Sequence, residues 1–81
     1  MIMNKTRLKK LETLASELED LRDELQVIQQ EEMECYENAP ENLQYSERYE
    51  QMETNADNLE NACDELDSVI SEIRDIIDEN Y

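Results

Sequence analysis

Apolar residues recur in this chain at alternating spacings of three and four, in two long runs on either side of its single proline, Pro40. The first run is Leu11, Leu14, Leu18, Leu21, Leu25 and Ile28. The second is Tyr49, Met52, Ala56, Leu59, Cys63, Leu66, Ile70, Ile73 and Ile77. A helix turns once in about 3.6 residues, so this spacing lays each run along one helix face, as the a and d positions of a heptad. Leu8 and Ala15 widen the first seam at its start, and Met33 and Tyr36 extend it. Ala62, Val69 and Ile76 flank the second seam at g positions. Strands need turns, and turns draw on Gly, Pro and Asn-Gly. The chain has no Gly, so strands are a poor alternative.

The break between the runs is Asn38 to Ser46. Pro40 would clash inside a helix and leave a carbonyl unpaired. Asn38 and Ser46 are residue types that cap helices, and Glu47 follows in a first turn, where acid is favoured. The spacing predicts one unit: a helix over about 5–38, a loop over 39–45 and a helix over about 46–80. The fold class is then all-α, an antiparallel two-helix hairpin of coiled-coil type.

Charge supports the antiparallel arrangement. Lys5, Arg7, Lys9 and Lys10 lie in the first ten residues, which hold no acid, while Asp75, Asp78 and Glu79 lie near the other end. Each choice opposes its own helix dipole. Side by side, the two ends complement each other. A loop centred near residues 41–42 sets Lys5 opposite about Asp78, Lys9 near Asp75, Leu18 against Leu66 and Leu25 against Leu59. This register separates Cys35 from Cys63 by about 15 helical positions, or ~22 Å, too far for a disulfide. Cys63, in the seam, reads as a small buried apolar residue and Cys35 as a free thiol near the tip.

Composition removes most chemistry. With no His, the usual general base and the common zinc and nucleophilic-triad arrangements are missing. With no Gly, there is no phosphate-cradling loop. All-α nucleotide pyrophosphohydrolases hold magnesium with paired helical carboxylates, and Glu47, Glu50, Glu53, Glu72 and Asp75 have that spacing. In a chain with 23 acidic residues such spacings arise by chance. The expectation is a non-enzymatic protein that takes no metal or cofactor. No stretch approaches the roughly 20 apolar residues of a membrane span, and the two isolated cysteines fit a cytoplasmic setting.

The acids are the larger signal. The net charge is −16, against about 2–8 sufficient for the solubility of a small domain. Residues 11–81 carry all 23 acids against three arginines. On the second helix, Glu50, Asp57 and Asp64 share one heptad position, Glu65 begins the next row, and Glu53 and Glu60 lie on the other flank. Seven residues advance a helix by about 10.5 Å, so each row is a line of negative charge comparable in kind to a line of phosphates. Such a surface repels nucleic acid and anionic membranes and attracts basic protein surfaces. Tyr36, Tyr45 and Tyr49 cluster around the loop. Tyr49 belongs to the seam, which leaves Tyr45 as the candidate for an exposed contact.

The segment Glu31–Glu50, EEMECYENAPENLQYSERYE, carries the pattern N-x-P-E-x-L-Q-x-S-E-R from Asn38 to Arg48. An L-x-x-A-x-D-x-L repeat follows at Leu59–Leu66. Over about residues 31–77 this resembles small acidic proteins encoded by phages and integrative elements of Gram-positive bacteria. Tyr45 and Tyr49 depart from it, standing where smaller residues are the rule. The resemblance implies a setting, a mobile element inside a bacterial host, in which small acidic proteins inhibit defence nucleases and CRISPR-type complexes. The functional expectation is an inhibitor that docks Glu50, Glu53, Asp57, Glu60, Asp64, Glu65 and Tyr45 on a basic, nucleic-acid-binding protein surface as a nucleic-acid mimic. The competing expectation is a structural or adaptor module whose charge serves only solubility. In that reading Ala62, Val69 and Ile76 form a homodimer interface, and two hairpins build a four-helix bundle.

Overall fold

The computed structural model describes residues 2–81 and is all-helical. Helix α1 runs Lys5–Glu37, a short 3₁₀ turn spans Glu41–Leu43, and helix α2 runs Glu47–Glu79. Both helices have 33 residues, and they pack against each other as an antiparallel hairpin measuring 61 × 17 × 13 Å.

Each helix end is satisfied by a side chain. Asn4 accepts from the Arg7 amide at 2.9 Å and caps α1. Ser46 accepts from the Tyr49 amide at 3.2 Å and caps α2. At the C-termini a left-handed Gly would ordinarily turn the chain, and this chain has none. Asparagine does the work instead. Asn38 Nδ2 donates to the Glu34 carbonyl at 2.9 Å, and Asn80 Nδ2 donates to the Ile76 carbonyl at 2.7 Å. Between the helices, Pro40 opens the 3₁₀ turn. The Gln44 side chain closes back on the Ala39 carbonyl at 3.3 Å, and the Ser46 hydroxyl donates to the Leu43 carbonyl at 2.6 Å.

Contacts at both ends fix the register. At the tip, Tyr36 and Tyr49 stack with ring centroids 4.5 Å apart and planes at 20°. At the open end, the Met3 amide donates to Asn80 Oδ1 at 2.8 Å, and the Tyr81 hydroxyl donates to Glu12. Steps of seven from the tyrosine pair set Gln29 against Ala56, Arg22 against Cys63, Ala15 against Ile70 and Leu8 against Ile77. In three of these layers a small residue faces a large one, which lets the helices approach closely. Leu8, Ala15, Ala56, Cys63, Ile70 and Ile77 are the buried core.

The structure corrects the seam of α1. Leu14, Leu21 and Ile28, which the spacing places between the helices, are 50%, 55% and 52% exposed. The column facing α2, and so the a position of α1, is Leu8, Ala15, Arg22, Gln29 and Tyr36, which makes Leu11, Leu18 and Leu25 the d column, Leu14, Leu21 and Ile28 the g column, and Glu12, Glu19 and Gln26 the e column. The reason is geometric. The apolar residues of α1 spread over three columns (a, d and g), the a column being interrupted by Arg22 and Gln29, and one neighbouring helix covers only the a column and half of d. Arg22 is tolerated in the inner column because it lies opposite the small Cys63. Its guanidinium reaches out to Asp67 at 2.7 Å and to Asp23 at 3.2 Å.

The charge pairing at the open end also differs from expectation. Among the described residues Lys5 and Lys9 form no ion pair with Asp78 or Asp75; the pairs present use Arg22 and Arg74. Heptad geometry explains this. Residues of the two e columns meet across an antiparallel pair, whereas Asp75 and Asp78 occupy columns that point away. The cross-helix pairs are instead Arg74 with Glu19, at 2.9 Å and 3.0 Å, and Arg22 with Asp67.

Candidate functional site

At 100° per residue, the d and g columns of both helices fall on one broad side of the hairpin, and the e and b columns fall on the other. The ion pairs confirm which side is which, since Arg74–Glu19 and Arg22–Asp67 lie along the e columns. The hairpin is therefore a two-helix layer with one charged face and one apolar face.

The charged face gathers five of the six candidate carboxylates. Glu50, Asp57 and Asp64 form its outer row and Glu53 and Glu60 its inner row, and all five are exposed. None has a basic partner within 4.0 Å among the described residues. Asp67, one step along the inner row, differs: Arg22 neutralises it. The free acids thus occupy the tip-side and middle part of α2, and the arginine pairs close off the rest of the face. Glu65, exposed as well, is not brought together with the others. It falls on the outer edge of α2, toward the apolar side.

Between the two helices this face carries a groove of about 260 Å³ lined by Gln26, Gln29, Gln30, Glu60, Cys63 and Asp64. The three glutamines were missed at the sequence level. Their signal was present, since Gln26, Gln29 and Gln30 recur at helical intervals on the side of α1 away from the Leu11–Ile28 stripe. They line the acidic rows with amides that both donate and accept hydrogen bonds. Burial pushes the Cys63 thiol up, and the neighbouring charges of Asp67 and Asp64 add to it. Cys63 is therefore held as a neutral thiol at the groove floor. Cys35 is exposed, and both thiols are free.

Tyr45 is 95% exposed at the tip, detached from the ring stack that closes the hairpin. Within that stack the Tyr36 phenol is pushed up to about 12, first by the Tyr49 hydroxyl, then by burial and the charge of Glu53. Tyr81 is likewise raised by its bond to Glu12.

Glu47, Glu50 and Glu53 lie at the start of α2, and Glu72 and Asp75 lie near its end. Some 22 residues, about 33 Å of helix, separate Glu50 from Glu72, so the two groups do not converge on one ion. No group of three metal-ligating side chains is arranged around a common point among the described residues. No helix among them is long and apolar enough to cross a membrane. No known protein family, curated protein or solved structure matches this chain.

Proposed function

We propose that this chain is an acidic binding protein that docks the charged face of α2 on a basic protein surface built to hold nucleic acid. The observation that carries this reading is the set Glu50, Glu53, Asp57, Glu60 and Asp64. These are five exposed carboxylates on one face, in rows that repeat about every 10.5 Å, and no cation among the described residues pairs with them. Unpaired like charges held on one rigid helix repel each other, and an opposing basic surface relieves that repulsion. Two lines of anions on a rod also present a nucleic-acid-binding groove with charge of the sign it already recognises. Tyr45 adds an apolar ring with a polar end beside the loop, and Glu65 a further charge at the outer edge. The likeness of the Asn38–Arg48 pattern to proteins of phages and integrative elements supplies the setting: inhibition of a nuclease or CRISPR-type defence complex in a bacterial cytoplasm.

The test uses the intact chain immobilised in a bacterial lysate. Nucleic-acid-binding proteins should be retained at low salt and released by added duplex DNA. The triple variant Asp57→Lys, Glu60→Lys, Asp64→Lys should lose them while keeping its helical circular dichroism. Equal retention by that variant would sink the mimicry reading. It would favour the alternative, a structural module in which the charge only keeps the protein dissolved.

A further inference from the structure

The charged face leaves the opposite face of the layer without a role. Every d and g position from Leu11 to Ile28 and from Leu59 to Ile76 is apolar. The d residues are half-buried at the helix–helix junction, while Leu14, Leu21, Ile28, Val69 and Ile76 stand exposed. The ion pairs found among the described residues all lie away from this side. We propose that this face closes on the same face of a second copy of the chain, forming a four-helix bundle that leaves both acidic faces outward.

Area argues for an occupant of this size. The chain exposes 6315 Å², against about 5,100 Å² for a compact monomer of its 9.7 kDa mass. Its radius of gyration is 18.2 Å, against about 12 Å for a compact chain of this length. The excess, about 1,200 Å², exceeds the ~800 Å² that each partner contributes to a standard stable interface. Among the described residues the six core residues include two alanines and no fully buried large side chain, and so small a core rarely sustains a fold alone.

Symmetry argues for a second copy. A two-fold axis requires a surface that complements itself. Here the two stripes have equal length and the same 3–4 repeat, lie side by side, and end in opposite charges. With the axis along the hairpin, α1 lies across α2 of the second copy. The exposed Arg7 and Lys10 at the edge of one stripe then lie beside Glu72 and Glu79 at the edge of the other. A basic partner would be drawn to the opposite face, so the two faces divide the work.

Sedimentation equilibrium of the purified chain at micromolar concentration tests this. The expected mass is twice 9.7 kDa. The double variant Leu21→Glu, Val69→Glu should sediment at the chain mass with its helical signal kept. Asp57→Lys with Asp64→Lys, on the other face, should stay at twice the mass. Should the first variant unfold, melting of the unmodified protein decides. Its Tm should fall on roughly hundred-fold dilution, because association stabilises by mass action. A wild-type chain at single mass, a Tm independent of concentration, or a double variant still at twice the mass overturns the proposal. So does a single-mass chain that binds apolar dye or lipid vesicles through Leu21 and Val69, since the face would then serve another partner. None of these results bears on retention through the acidic face.

Discussion

At Ala15, which has no exposed surface, a larger side chain cannot enter without parting the helices, because Ile70 fills the facing position. Ala15→Leu should cost about 1–3 kcal/mol, the usual range for overpacking a filled site, read by chemical denaturation. An unchanged midpoint would mean that the α1 column facing α2 is not the one described. The tyrosine stack makes a second residue-level prediction. The Tyr36 phenol sits at about 12 in the folded chain against an ordinary 10.0. A raised folded-state value means that the native state holds the proton more tightly. Its contribution to stability is therefore complete below pH 10 and is lost as pH rises from 10 toward 12. Tyr49→Phe removes the largest cause and should bring the Tyr36 phenolate transition back toward 10 in an ultraviolet titration. The thiols should differ as well: Cys35 should react readily with a thiol reagent, and buried Cys63 only as the hairpin opens.

At the level of the helices, stability rests on ends as much as on the core. The Asn80 amide does two things, capping α2 through Nδ2 and holding the start of the chain through Oδ1. Asn80→Ala should cost about 1 kcal/mol. In hydrogen exchange it should release amides at the open end, near Met3 and Leu8, and leave those near the Tyr36–Tyr49 tip protected. Uniform loss along both helices would show that the ends are not held separately. The helix boundaries owe much to residues visible in the sequence, namely Pro40, Ser46 and the absence of glycine. The choice of the inward column on α1 does not. Spacing alone ranks Leu11–Ile28 as the better seam because it contains no polar residue. What decides is the partner, since α2 offers Cys63 opposite Arg22 and Ala56 opposite Gln29. Pairwise fit across the hairpin is a property of two helices, and no single-helix pattern contains it. The antiparallel orientation was legible, although the lysine–aspartate pairs that argued for it are replaced by Met3–Asn80, Tyr81–Glu12 and Arg74–Glu19.

The whole molecule is a thin layer with two unlike faces. Part of this was legible as well: the acidic rows of α2 and the outer stripe of Ala62, Val69 and Ile76 follow from heptad arithmetic. Two features needed the assembled pair. One is that the e columns of both helices share a face, which neutralises Asp67 and Glu19 through arginines and leaves the acids from Glu50 to Asp64 free. The other is that Glu65 is parted from that set. The two faces should respond oppositely to salt. Screening shortens the reach of exposed charge to about 8–10 Å at physiological ionic strength. Added salt should therefore weaken docking of the acidic face and strengthen pairing of two chains that each carry −16. The most direct test of the central claim is the affinity of the chain for a protein retained through α2, titrated from about 50 mM to about 200 mM salt. Affinity should fall steeply for the unmodified chain, and the slope should flatten when Asp57, Glu60 and Asp64 are replaced by glutamine or asparagine. An affinity indifferent to salt, or a slope that the neutralised variant shares, would contradict docking through the acidic face.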